Sequence, residues 1–332
     1  VHELYFIFGV FILLFVITDL LWTTLWVDGG AGPISSRLTT VIWKGLRFIT
    51  KDRSKLLSLA GPIILVSILF MWILSIWAGW VFLFTGDENS LIDTRDDEPI
   101  TWAARIYFVA YTMFTMGNGD FSPKDGFWQI ATSLTTASGM LFVTLSVSYV
   151  LSVLGGVTQK RSFAEGVTGQ GEKSEIIVKQ GWNGKDYSNI DLFLKDYSAQ
   201  LSTLTQQHKA YPILHYYHSE KTEQASAVAV VVFDEALTLF KYGIPEHRQP
   251  NKVWVREARS SVQSYLSTLN SAFIKSADHA PPPVDLESLR SAGLPVTSEK
   301  EFEQAHSKLE ERRKKLLGMI RADAWKWPAE QQ

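Results

Sequence analysis

No cysteine occurs in the chain, which rules out a disulfide scaffold. Charge of one sign is also scarce: 32 basic against 34 acidic side chains give a formal net charge of −2, with no basic footprint for nucleic acid. A nucleophile elbow, a phosphate loop and a metal-ligand motif are all missing, so the sequence offers no enzyme reading. Disorder and collagen are excluded from the other side, because 46% of the residues are hydrophobic and 13% aromatic, with twelve Trp. The mean hydropathy of +0.03 is that of a soluble protein. Yet the apolar residues crowd into residues 4–27, 56–85 and 127–157, so the average conceals a membrane half and a polar half.

A bilayer core about 30 Å thick needs roughly 20 apolar helical residues. Leu4 to Val27 meets that length with one ionisable residue, Asp19, which reads as snorkelling or Arg-paired near the end of a first transmembrane helix. A signal peptide would open on a basic segment, whereas Val1, His2 and Glu3 stand here. Leu56 to Thr85 is a second span, whose Trp72, Trp77 and Trp80 suit a packed seam, and about Phe127 to Val157 a third. Arg37, Lys44, Arg47, Lys51, Arg53 and Lys55 precede the second span and Lys160 and Arg161 follow the third. Asp87, Glu88, Asp93, Asp96, Asp97 and Glu98 lie between them. The positive-inside rule then predicts a multi-pass protein of the cell membrane, with its N-terminus outside and its C-terminal half cytoplasmic. Ile100 to Pro123 is too short and too rich in Gly and polar residues to cross and return. It reads as a re-entrant segment, which survives at membrane depth only when buried in protein or lining a watery path.

That segment contains Thr115, Met116, Gly117, Asn118, Gly119 and Asp120, preceded by Tyr107, Phe108, Tyr111 and Thr112 and followed by Pro123. Placed between two spans, the run resembles the pore loop of the tetrameric potassium channels. The resemblance covers roughly residues 58–157. It implies a homotetramer in which backbone oxygens of Thr115, Met116, Gly117 and Asn118, with the Thr115 hydroxyl, replace the hydration shell of potassium ions. Asp120 would stand at the outer mouth, and Tyr107, Phe108, Tyr111 and Thr112 would support the filter. Gly139 matches the family's inner-helix hinge, and Met140, Val143, Val147 and Leu151 would follow at helical spacing as cavity or gate residues. Beyond permeant monovalent cations and membrane lipids, no cofactor, other metal or nucleic acid is implied. The sequence departs from the family where an aromatic usually separates the two glycines, since Asn118 stands there. Met116 and Phe114 are further departures. A nonselective cation pore of the same fold is therefore the second reading, and a membrane-tethered scaffold with a vestigial pore the third.

Beyond Arg161, Gly166, Gly169, Gly171, Gly181 and Gly184 read as a linker over 161–188, with a short strand at Ile176 to Lys179. Helical periodicity follows in Leu192, Tyr197, Leu201 and Leu204, then in Ala225 to Tyr242 and Val253 to Ile274, and Ser298 with Glu301 forms a capping box opening a last helix through about Ile320. His208, His215, His218 and His247 read as exposed or core-edge residues, and Glu310 to Lys315 as a solvated face or a subunit contact. No Gly-x-Gly-x-x-Gly turn with strand-to-helix alternation is present, so a dinucleotide-type sensor is not expected. The expected architecture is an all-α membrane protein. An extra N-terminal transmembrane helix and basic loop occupy 1–55, a potassium-channel-like pore module 56–160, the Gly-rich linker 161–188, and a helical cytoplasmic domain 189–332.

Overall fold

The computed structural model describes residues 2–95, 98–272, 274–284 and 286–328; Asp96 and Asp97 of the acidic loop lie outside them. The elements run α1 (His2–Leu25), α2 (Pro33–Thr50), α3 (Ser54–Leu57), α4 (Ala60–Thr85), β1 (Leu91–Asp93), α5 (Trp102–Met113), β2 (Phe121–Pro123) and α6 (Phe127–Gln170). After them come α7 (Ser174–Gly181), α8 (Asp191–Ala210), α9 (Ser226–Thr238), α10 (Lys252–Ala272), α11 (Glu287–Ser291), α12 (Glu299–Ser307) and α13 (Glu310–Ala322). Among the described residues the fold is thus all-α apart from the short antiparallel pair β1–β2. Two compact units emerge: Val1–Val41 with Pro62–Val153, and Ile42–Gly61 with Leu154–Gln332. The boundaries expected after residues 55 and 160 fall inside α3 and α6, where the helical hydrogen bonding has no break.

Three helical stretches, α1, Ser54–Thr85 and α6, are each long and apolar enough to cross a membrane. Helices α1 and α4 touch through backbone: a Cβ on Gly9 would stand 2.5 Å from the Leu83 nitrogen and 2.7 Å from the Gly79 oxygen. Small residues at such a crossing let dispersion contacts hold helices together where lipid removes the hydrophobic drive. Asp19 is neither snorkelling nor Arg-paired. It is fully buried, and its carboxylate accepts hydrogen bonds from the backbone nitrogens of Ile34 (2.7 Å) and Ser35 (3.2 Å), the Ser35 hydroxyl (2.5 Å) and Trp72 Nε1 (2.9 Å). The carboxylate therefore caps the start of α2, whose first backbone donors have no intrahelical partner. Trp72 completes the seam expected of it from α4.

The second unit is built around α9, every residue of which is buried. The expected strand at 176–179 is helix instead: Ser174, Ile177, Val178 and Gly181 are buried at intervals of three and four, the period of α7. Nor is 161–170 a linker. Phe163, Ala164, Val167 and Thr168 form a buried face of α6, and Gly166 is there for close approach, since a Cβ would fall 2.2 Å from the Tyr197 hydroxyl. In α8 the inward face is Leu194, Ser198, Leu201, Leu204, Thr205 and His208, whereas Leu192 is exposed. The capping box of Ser298 and Glu301 is formed, but the helix it opens ends at Ser307, and α13 starts separately.

The charge run of α13 is not solvated throughout. Arg312 clasps Asp234 (2.6 Å) and Arg313 clasps Glu235 (2.9 Å), both acidic partners lying on buried α9. The histidines also turn inward: His208, His215 and His218 are buried, while His247 is exposed. They surround the buried Lys160 of α6, whose Nζ donates to the carbonyls of Leu214 (3.1 Å) and Tyr217 (2.9 Å). Asp323 faces the same cluster, 3.5 Å from His218 Nδ1. Burial pushes the Asp323 carboxyl up, but Lys160 and His218 outweigh it and hold it below its ordinary value.

A pH dependence follows from this packing. Burial, followed by the Lys160 charge, holds the His208 imidazole down at about 3. Burial holds His215 at about 4, Asp323 opposing and Lys160 reinforcing the shift. An unfolded His titrates near about 6.5, so below that pH the unfolded chain binds more protons than the folded one. Stability is full above about pH 6.5 and falls as pH drops toward about 4. Thermal melting of the full chain should therefore descend across this window and flatten in the H208Q/H215Q double variant; an unchanged slope in that variant refutes the assignment.

Candidate pore loop

Helix α5 starts at Thr101, whose side chain accepts from the Ala104 nitrogen, and is anchored by the buried Arg105. The Arg105 guanidinium donates to the carbonyls of Ile100 (2.5 Å), Glu88 (3.2 Å) and Phe84 (3.3 Å), tying three segments around the helix start. An arginine inside an apolar membrane stretch needs such partners. That requirement was the sequence signal for Arg105, and the motif reading passed over it. Along α5, Phe108, Tyr111 and Thr112 are buried, while Tyr107 is exposed.

The helix ends at Phe114, and the chain turns back on its last carbonyls: Thr115 N donates to Thr112 O (3.1 Å) and Met116 N to Tyr111 O (2.8 Å). From there the backbone alternates. Thr115, Gly117 and Gly119 have φ of +60°, +60° and +85°, while Met116 and Asn118 between them do not have positive φ. Left-handed φ at every second residue turns successive peptide planes so that consecutive carbonyl oxygens line one side of a strand. Glycine adopts it freely, and a β-branched residue such as Thr115 does so only when its surroundings impose it. Residues 114–119 are exposed in the single chain.

The neighbours hold this strand at both ends. Thr94 Oγ1 donates to the carbonyls of Gly119 (2.8 Å) and Asp120 (2.9 Å), and Tyr111 donates its hydroxyl to Phe121 O (2.9 Å). β2, directly after the loop, pairs with β1 in the register Leu91↔Pro123, Ile92↔Ser122 and Asp93↔Phe121. Asn118 finds a role its size did not suggest. Its Nδ2 donates to the Tyr107 hydroxyl (2.5 Å) and to Asp120 Oδ2 (2.7 Å), so hydrogen bonds tie the loop to α5 where an aromatic ring would have packed. Thr94 has no counterpart in the motif reading; its role depends on a fold-back of some 25 residues that no local pattern announces.

Gly139 lies where α6 crosses the end of α5, and a Cβ there would fall 2.0 Å from the Met113 carbonyl oxygen. The helix is unbroken through it, so close approach already accounts for this glycine. Trp80 of α4 donates to the Ser138 hydroxyl beside it (2.9 Å). Farther along α6, Met140, Val143, Val147 and Leu151 form an exposed apolar stripe, 48–65% accessible in the single chain.

Comparison with known proteins agrees with this geometry. The family model described as "Ion channel" matches residues 67–155, a stretch that includes the second half of α4, the loop and α6 as far as Gly155. Along its whole length the chain is 48% identical to the "Uncharacterized membrane protein YdjJ" of Bacillus subtilis (strain 168), covering 97% of that protein. No solved structure matches. With a capped α5, a loop of alternating backbone and a matching family model between two spans, residues 67–155 are a pore module of the two-span, potassium-channel type, and the chain as a whole belongs to one family with YdjJ.

Proposed function

We propose that the chain assembles as a homotetramer that conducts potassium across a cell membrane, with its N-terminus outside and the second unit cytoplasmic and modulating the pore. The observation that carries the reading is the alternating backbone of Thr115 to Gly119. One chain supplies one such strand, exposed on its own, and a ring of them is what an ion needs to exchange water for carbonyl oxygens. The exposed stripe from Met140 to Leu151 fits the wall of the path below the ring, where an apolar lining closes by dewetting. Cyclic symmetry about that path is the closed arrangement for identical chains. In the chain, Lys160 follows the stripe within α6, Phe127–Gln170.

Reconstitution in lipid bilayers, with potassium on one side and sodium on the other, tests the reading through the reversal potential. A value near the potassium equilibrium potential is expected. A value near zero with clear current selects the nonselective pore, which Asn118 favours by leaving the loop without a packed ring; silence at all voltages and pH values rejects conduction. The Asn118–Tyr107 tie supplies a second prediction. Asn118→Ala removes the bonds without altering the backbone preference, and should lower the potassium-over-sodium permeability ratio about tenfold.

A further inference from the structure

The second unit contains a groove of about 510 Å³ lined by Lys241, Glu246, Gln249, Lys252, Val255, Arg256 and Arg259. Four of these side chains are cationic and one is anionic, in a chain whose overall charge is −2. The concentration of positive charge is therefore local. Lys252, Arg256 and Arg259 lie on one face of α10, spaced four and three residues apart, where a solvated helix would interleave carboxylates.

The scaffold holds these like charges together. The Tyr242 ring draws in both the Lys241 ammonium, 4.9 Å from its centroid, and the Arg259 guanidinium, at 5.8 Å. Arg259 is fixed further by donating to the Thr238 hydroxyl (3.1 Å). Gln249 Nε2 pins the facing turn by donating to the carbonyls of Lys241 (3.0 Å) and Ile244 (2.8 Å). Glu246 is engaged by Lys252, which leaves Arg256, exposed and without a hydrogen-bond or ion-pair partner among the described residues, as an open charge in the groove. Lys241 itself sits in a π-helical turn, Leu239–Gly243, a rare geometry that is frequent at functional sites.

We infer that this groove binds a multiply charged phosphate group, as a small ligand of nucleotide size that regulates the channel. Arginine forks match phosphate oxygens in pairs, and the volume lies in the range of small-molecule pockets rather than of a lone ion. The same chemistry is offered by the headgroup of an anionic lipid, so the test separates the two sources. Binding is a property of the chain itself; its effect on current rests on the pore reading.

The full chain in nanodiscs of neutral phosphatidylcholine is titrated with ATP and with inorganic pyrophosphate by calorimetry. Saturable binding that weakens with salt is expected, and R256Q and K241Q should each weaken it about tenfold. The variant K300Q, at an exposed site outside the groove, should bind as the parent does. If neither probe binds but phosphatidic acid, whose headgroup is a phosphomonoester, raises the melting temperature in an Arg256-dependent way, the phosphate comes from lipid. No response to any of the three anions, or binding unchanged in both R256Q and K241Q, overturns the inference. A bound ligand on a silent channel would reject the pore reading and leave the groove intact, and a conducting channel that binds none of them would do the reverse.

Discussion

Gly117→Ala is expected to leave the chain folded and inserted while reducing potassium current more than about a hundredfold. Within its own chain the added methyl group meets no atom within 4 Å; the strain comes from the backbone, which stands at φ +60°. An L-residue in that region costs about 1–2 kcal/mol, and in the proposed four-fold ring the cost is incurred in every chain, about 4–8 kcal/mol in all. The strand relieves it by turning the 117 peptide, which takes one carbonyl in each chain away from the ion path. Since about 1.4 kcal/mol is a tenfold population, even half of that strain leaves few rings intact. Gly45→Ala is the matched control: it also meets nothing within 4 Å, but lies inside α2 without positive φ, and should conduct normally. Parental current and selectivity in Gly117→Ala would sink the carbonyl-ladder mechanism.

The features legible in the sequence were those whose cause is local. A span declares itself by length and composition, the Ser298–Glu301 capping box by a three-residue interval, and the alternating backbone of 115–119 by the spacing of its glycines. What escaped depends on partners distant in the chain. Asp19 caps α2 through residues 15 and 16 positions away and reaches Trp72 across 53, so no window on α1 discloses why a carboxylate is tolerated there. The glycines of 161–171 were ambiguous in kind, because a glycine chosen for flexibility and one chosen for contact look the same. Gly166 turns out to make room for Tyr197. In α7 the buried interval 174, 177, 178, 181 is helical, but Ser174 and Gly181 carry no apolar signal, so the contiguous Ile176, Ile177 and Val178 read as a strand. For the histidines, periodicity cannot tell a core-edge position from a core one until the facing element, here Lys160 with the 211–218 turn, is in place.

Arg313→Met should destabilise the second unit by about 3–5 kcal/mol, the usual effect of stranding a buried charge by removing its partner. Arg313 is 3% and Glu235 6% accessible, and the guanidinium meets both carboxylate oxygens, at 2.9 and 3.0 Å. Its remaining donors go to the carbonyls of Pro281 (2.9 Å) and Pro282 (2.6 Å), so the variant also orphans the turn that follows α10. For a unit of this size each kcal/mol moves the melting temperature about 2–4 °C, so a drop on the order of 10 °C is expected in the full chain. Burial already pushes the Glu235 carboxyl above its ordinary value with Arg313 opposing, and without the guanidinium it rises further. A carboxyl raised on folding binds more protons in the folded chain, so the deficit of the variant should widen as pH rises and narrow as it falls. Replacing both partners, as in E235L/R313M, leaves no stranded charge and should recover most of the loss, because an apolar pair of similar volume is often as stable as a buried ion pair. If the single variant melts within about 2 °C of the parent, the clasp does not hold α9 to α13. If the double variant recovers nothing over the single, the value of Arg313 lies in the Pro281 and Pro282 carbonyls, which both variants orphan, rather than in Glu235.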